Sequence, residues 1–336
     1  MQMIKGESGE QILTFLNQYE NAIYFYDYEK GILVNKIEYE KEGPDGILSP
    51  AGYFIKNMDS IYAYNKARIE VALTNSSGHI KQRISLNDNS SGYEWALYFP
   101  QYLFLTVNPL FELHGKLLLT GMYPFSIADS LIHKFQFTSS IDLQSGNVEF
   151  MHSYPEELYG SGVIWESPFY TQGYPVLSPF GELIYSFPVS HDVYITQLGV
   201  EGYKNVYAGS NVAGTISSIN ARSRKIPDEV ILTHFLQYDF YTSILYDPYR
   251  KVYYRMMMQG VPNATINTSK WEKPVGVIVM DEQFNYMCET VLGPWKKWNW
   301  QNSFVTSEGL MMEYFDSDLD SGEEYLHFKI FTVEKL

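Results

Sequence analysis

Three observations predict an all-β fold made of small antiparallel sheets repeated along the chain. Tyrosine (29) and phenylalanine (20) are abundant among the 336 residues and alanine-rich helical runs are missing, and aromatic side chains suit the pleated, half-buried surface of a strand. Short segments alternate apolar and polar residues between tight turns. These segments come in sets of four, most clearly GYFIKN, DSIYAYN, RIEVALTN and HIKQRISL between Gly52 and Leu86.

Taken in order, QILTFLN, NAIYFYDY and ILVNKIEYE form a first set, approximately residues 11–40, and the second spans 51–86. PLFELHG, KLLLTGM, KFQFTSSID and NVEFMHS make a third, 109–153. YPVLSPFG, ELIYSFP, DVYITQL and YKNVYAG make a fourth, 174–208. DFYTSILYD, KVYYRMM, VGVIVMD and NYMCETV make a fifth, 239–292, and QNSFVTS, GLMMEYF and YLHFKIFTV a sixth, 301–336. First strands begin near 51, 109, 174, 239 and 301, giving spacings of 58, 65, 65 and 62. A period near 60 with four strands per repeat marks β-propeller blades, because each small sheet buries its faces only against neighbouring copies.

The expectation is therefore one six-bladed propeller of four-stranded antiparallel blades over residues 1–336, with the first or last blade short of a strand. The period places the inner strand of the first blade near −10, ahead of Met1, with about twenty residues lost upstream. In the alternative, QILTFLN is itself the inner strand of an irregular blade. The last blade shows three strands.

The net charge of −15 and pI near 4.9 argue against nucleic acid, since phosphate recognition needs a clustered positive field. The longest basic cluster is Arg222, Arg224 and Lys225. One cysteine, Cys288, excludes an internal disulfide and a cysteine-built zinc site, and NYMCETVL alternates as a strand that would bury it. No apolar run approaches the length of a transmembrane helix.

FLNQYENAIYFYDYEKG, KEGPDGI, YDPYRKVYYRM and FVTSEGLMMEYFDSD with YLHFKIF touch both ends of the chain. With these stretches the sequence resembles a family of exported six-bladed propellers of unknown function from Gram-negative gut bacteria, the TolB-like propeller lipoproteins. The resemblance implies an envelope location, in the periplasm or as an outer-membrane lipoprotein. It also implies a signal segment, with any lipid anchor, ahead of Met1. It carries no assigned activity and no functional residue.

In a meandering blade the first-to-second and third-to-fourth connections lie at one end, and the second-to-third connections and the links between blades at the other. The former are short here (NMD, HGK, PFG, DPYR, SEG) and the long connections fall in the latter class. Binding concentrates on loops placed by a rigid scaffold, so the elaborated end is the expected site. Trp295, Trp298 and Trp300 in GPWKKWNWQN map there, as do Trp165 and Trp271. Indole faces stack on sugar rings and leave an N–H for a hydroxyl. Alternatively, such rings wedge between blades.

No G-x-S-x-G, H-E-x-x-H, Walker or G-x-G-x-x-G pattern occurs. Neither do sialidase aspartate boxes, kelch double glycines or a recurring Trp-Asp pair. His191 and Asp192 are adjacent in SHDVY, but successive strand residues face opposite sides. The seven histidines are scattered, without metal-site spacing, and no cofactor is implied. DSDLDSGEE, Asp316 to Glu324, fails the EF-hand pattern and reads as an acidic hairpin tip. Glu156 and Glu157 are candidate acid and base for glycoside hydrolysis.

The sequence thus predicts a non-catalytic envelope propeller that binds a glycan, peptide or partner protein. Trp295, Trp298, Trp300, Trp165 and Trp271 would supply contact area, and Arg222, Arg224 and His191 the polar rim. The alternatives are a periplasmic carbohydrate-active enzyme and a scaffold with no small ligand.

Overall fold

The structure, a computed structural model, describes residues 1–6, 8–87, 98–160, 162–219, 226–315 and 326–333. It is an all-β, six-bladed propeller whose blades are four-stranded antiparallel sheets except the last, which has three strands. The first blade holds β1 (Gln2–Lys5), β2 (Gln11–Asn17), β3 (Ala22–Asp27) and β4 (Ile32–Glu38). The second holds β5 (Pro50–Asn57), β6 (Ser60–Asn65), β7 (Glu70–Thr74) and β8 (Ile80–Ser85). The third holds β9 (Phe111–Leu113), β10 (Lys116–Thr120), β11 (Gln136–Asp142) and β12 (Val148–Ser153). The fourth holds β13 (Tyr174–Leu177), β14 (Leu183–Ser186), β15 (Asp192–Thr196) and β16 (Lys204–Tyr207). The fifth holds β17 (Phe240–Asp247), β18 (Val252–Met258), β19 (Pro274–Asp281) and β20 (Tyr286–Pro294). The sixth holds β21 (Trp298–Thr306), β22 (Gly309–Tyr314) and β23 (Phe328–Phe331).

The inner strand expected ahead of Met1 is instead β1. Gln2 to Lys5 pair antiparallel with Thr14 to Gln11. The Gln2 side chain accepts from the Ile55 N–H at 2.9 Å and donates to the Ile55 carbonyl at 3.0 Å, fastening β1 to β5. QMIK is too short to show a period, and the link that follows it is shorter than the repeat predicts.

Several hairpins share one local cause. Asp27 and Ile32 pair across a turn whose last residue, Gly31, has φ 64°, and Asp247 and Val252 pair across one ending in Lys251 at φ 56°. In each, the aspartate Oδ1 accepts a backbone N–H from inside the turn: Lys30 for Asp27, and Tyr249 and Arg250 for Asp247. Asn17 does the same for Tyr19 and Glu20. A short polar side chain at the first turn position thus supplies the hydrogen bonds the strands no longer can.

The described residues divide into two compact units, one formed by Met1–Thr120 with Thr138–Phe150 and the other by Gly121–Phe137 with Met151 onward. In the first, Ile12, Ile23, Phe25, Ile37, Ile55 and Ile61 form one core cluster, and Tyr64, Val71, Leu110, Leu117 and Ile141 another. In the second, Ile184, Val193, Tyr241, Ile244, Tyr253 and Ile278 form a third. Each fully buried side chain of this size contributes about 1.5–3 kcal/mol. Middle strands such as β18 are buried throughout, whereas the edge strand β20 is largely exposed. Cys288 lies on β20 and is exposed, not buried as its alternating neighbours suggest. Alternation identifies a strand but not whether a neighbour covers it.

Candidate functional site

Within the second unit the tryptophans form a ladder from surface to core. Trp271 sits in the short 3-10 turn Lys270–Glu272, which Ser269 caps by accepting the Trp271 N–H. The residue is 45% exposed and its ring centroid lies 4.5 Å from that of Trp295. Trp295 is 6.2 Å from Trp300, which meets Tyr174 edge-on at 5.8 Å. Trp295 is 4% exposed and Trp300 1%. Trp300 is therefore a blade-packing residue, and its indole N–H has no hydrogen-bond partner among the described residues. Trp298 is half-buried against Tyr314 and Phe331 and donates to the Leu292 carbonyl at 3.0 Å. Trp165 is buried and donates to the Leu158 carbonyl at 2.9 Å. Trp271 is thus the most exposed member of the set. Lys270 lies 5.1 Å from its centroid, and Lys296 pairs with Glu272 at 2.8 Å beside it.

Of the other predicted residues, His191, Glu156 and Glu157 have their hydrogen-bond and ion-pair partners away from Trp271. His191 is half-buried and its Nδ1 bonds the Tyr241 hydroxyl at 2.8 Å, while Asp192 accepts from Asn205, so the two form no dyad. Burial, with the Arg255 charge adding to it, pushes the His191 imidazole below its ordinary range. Glu156 and Glu157 are exposed, and Glu156 pairs with His133 at 3.1 Å. Arg222, Arg224 and the acidic stretch from Asp316 to Glu324 lie outside the described residues. Among the described residues no three histidine, cysteine or acidic side chains converge as metal ligands.

The long connections of this unit are tied into a layer with its own aromatic core. The Tyr154 hydroxyl accepts the Tyr123 N–H and donates to the Thr171 carbonyl, and Thr171 Oγ1 donates back to the Tyr123 carbonyl. Tyr170 packs against Trp165, Phe235 and Phe240, and its hydroxyl bonds His234 Nδ1 at 3.2 Å. His234 in turn bonds the Ser217 carbonyl at 2.7 Å. Gly260 lets the Gln259–Pro274 connection pass against the Asp228–Gln237 helix, because a Cβ there would stand 1.9 Å from the Gln237 carbonyl oxygen.

Two buried cations that sequence reasoning missed hold this layer. Lys273 donates to the Phe235, Leu236 and Tyr238 carbonyls at 2.9–3.1 Å, closing the C-terminal end of the Asp228–Gln237 helix where carbonyls lack intrahelical partners. Its backbone carbonyl accepts the Trp295 N–H, and the Trp271 carbonyl accepts the Lys296 N–H, so the exposed indole is fixed to the capped helix. Arg255 on β18 is fully buried and donates to the Ser190 carbonyl at 2.8 Å, Ala208 at 3.0 Å and His191 at 2.6 Å. Its guanidinium also lies 3.8 Å from the Tyr241 ring. The sign of Arg255 in the sequence is a lone charge inside the apolar strand VYYRMMM.

A family model matches residues 1–291, which is most of the chain. The chain belongs to the DUF4221 family, described as a domain of unknown function. A solved DUF4221 member from Bacteroides vulgatus has 19% sequence identity and a TM-score of 0.71, with 98% of this chain and 92% of that one covered. A Bacteroides fragilis protein described as exported has 13% identity and a TM-score of 0.56, covering 96% and 88%. At these identities the likeness shows the fold alone. A search of curated proteins finds no match. No helix of the described residues is long and apolar enough to cross a membrane.

Proposed function

We propose that this chain is a non-catalytic cell-envelope propeller that binds a glycan, peptide or partner protein through Trp271 and the long connections around it. The observation that carries the reading is a single indole, 45% exposed, held in place by the buried ring of Trp295 beneath it. An ordered flat apolar face costs little conformational entropy on binding and suits the face of a sugar ring. Lys270 and the Lys296–Glu272 pair supply polar groups at its rim. The export described for the Bacteroides fragilis protein supports an envelope location, in the periplasm or at the outer membrane.

Thermal unfolding against neutral oligosaccharides and peptides tests this. Ligand at a hundred times its dissociation constant stabilises by about 2.7 kcal/mol, a shift of about 4 °C for a chain of this length. The shift is expected in the native chain and absent in Trp271→Ala. A ligand-induced shift that survives Trp271→Ala refutes the placement, and no shift with any member of the panel refutes the small-ligand reading.

A further inference from the structure

The first unit contains a cleft of about 720 Å³ at the β6–β7 turn, lined there by Tyr64, Lys66, Arg68 and Glu70 and walled by Ser85, Gln101 and Tyr102. Its size is that of sites for small organic ligands. Lys66 and Arg68 are exposed on the turn and form no ion pair or side-chain hydrogen bond among the described residues. Glu70, the acid at the wall, is neutralised. Arg83 donates to its Oε1 at 2.5 Å and Asn65 Nδ2 at 3.1 Å, and the same guanidinium is anchored on the Pro44 and Gly46 carbonyls. Two cations without an acidic partner among the described residues therefore stand at the mouth of a cleft in a chain of net charge −15.

A second, independent feature points into the same space. Tyr64 is 3% exposed and lines the cleft, yet its hydroxyl forms no hydrogen bond among the described residues. The ring is fixed edge-on against Tyr102 and Phe104, with centroids at 5.4 and 4.8 Å, and the Tyr102 hydroxyl is already engaged with Ser139. Ile69 closes the turn at φ 53°, a conformation a β-branched side chain rarely takes, while packing on the core cluster of Tyr64 and Tyr102. The turn is thus held in a strained form that leaves both cations and the tyrosine hydroxyl on the cleft.

We infer that this cleft binds a hydroxylated small molecule bearing an oxyanion, of which an acidic sugar is the type, with Lys66 and Arg68 on the anion and the Tyr64 hydroxyl on a ligand oxygen. Charge-assisted hydrogen bonds from a guanidinium and an ammonium give the anion selectivity, and the phenol gives a fixed polar contact at the cleft wall.

Calorimetric titration at low salt with glucuronate, digalacturonate, inorganic phosphate and glucose tests the inference. Digalacturonate or glucuronate is expected to bind, glucose at least tenfold more weakly, and the affinity to fall when sodium chloride is raised to screen the cations. The Lys66→Ala, Arg68→Ala double variant, at exposed turn positions, should keep its melting temperature and lose at least tenfold in affinity. Tyr64→Phe removes only a cleft-lining hydroxyl that makes no hydrogen bond among the described residues, so it should melt as the native chain does and bind about fivefold more weakly. Phosphate binding that exceeds that of the acidic sugars would overturn the sugar class. Equal binding by the double variant, or no binding of any anionic probe, would overturn the site.

Discussion

Arg255→Met is the sharpest test of how the long connections are held. The native guanidinium donates Nε–H to Ser186 Oγ at 3.0 Å and its terminal N–H groups to carbonyls of the Phe187–Asp192 segment and of Ala208. Some of these carbonyls have a second partner, since Ala208 N–H also reaches His191 and Ser190 N–H reaches Phe187. The Ser190 and Ala208 carbonyls have no other hydrogen bond among the described residues. Methionine fills similar space and donates nothing, so two buried acceptors are orphaned at about 1–3 kcal/mol each. The expected loss is about 4 kcal/mol, or about 6 °C in melting temperature with an unfolding entropy of roughly 0.7 kcal/mol/K for a chain of this length. Arg255→Lys keeps the charge, but a single ammonium cannot span the fork, so about half the loss is expected. Burial pushes the Arg255 pKa down to about 10, so at neutral pH the native fork remains charged, and the Lys variant separates its charge from its geometry. Urea unfolding followed by tryptophan fluorescence measures each difference. A Met variant within about 0.5 kcal/mol of native, the range of an ordinary surface change, would refute the claim that the guanidinium satisfies these carbonyls. A Lys variant as weak as the Met variant would refute the weight placed on charge and assign the whole effect to the fork.

Three further outcomes are expected. His152 is 2% exposed between the Tyr185 hydroxyl and the Gln197 carbonyl, and burial pushes its pKa down to about 4. The unfolded chain therefore binds the proton first as pH falls from about 6.5, and about 3 kcal/mol of stability is lost by pH 4. His152→Asn, which tolerates the positive φ, should flatten that part of the urea-midpoint profile. Gly260→Ala places a methyl on the Gln237 carbonyl and should cost about 1–3 kcal/mol by denaturant unfolding, with the Asp228–Gln237 helix losing amide-exchange protection first. Trp300→Ala should cost about 3–5 kcal/mol and Trp271→Ala less than about 1 kcal/mol, since one ring is 1% exposed and the other 45%.

What the sequence disclosed of the fold followed from rules that act over a few residues. Alternation marks the strands, and Asp27 and Asp247 mark turns whose hydrogen bonds they complete themselves. Repetition of those signals at one spacing then implies blades. What it hid depends on neighbours far along the chain. Met3 and Ile4 become strand residues because Leu13 and Ile12 offer an edge, and no local pattern in MQMIK reports that. Cys288 has an alternating context like that of buried strand residues and is exposed because β20 ends its sheet.

The tryptophans show the same limit at the candidate site. GPWKKWNWQN locates a connection with an excess of indole surface, but whether a ring serves packing or binding depends on which side of the loop layer it reaches. Trp300 enters β21 and meets Tyr174 from another blade. Trp271 stays outside because Lys273, two residues on, turns inward to cap a helix and takes the chain with it. The buried lysine thus decides where the exposed aromatic stands. The Lys273 ammonium fixes the backbone under Trp271 by donating to the Phe235, Leu236 and Tyr238 carbonyls, so replacing the lysine should disturb the indole without touching it. Lys273→Met is expected to weaken any ligand that depends on Trp271 while leaving the ring itself in place in the sequence. Tryptophan fluorescence of the double variant Lys273→Met, Trp298→Phe reads the displacement as a red shift. An unshifted spectrum would mean that Trp295 alone sets the position of the platform.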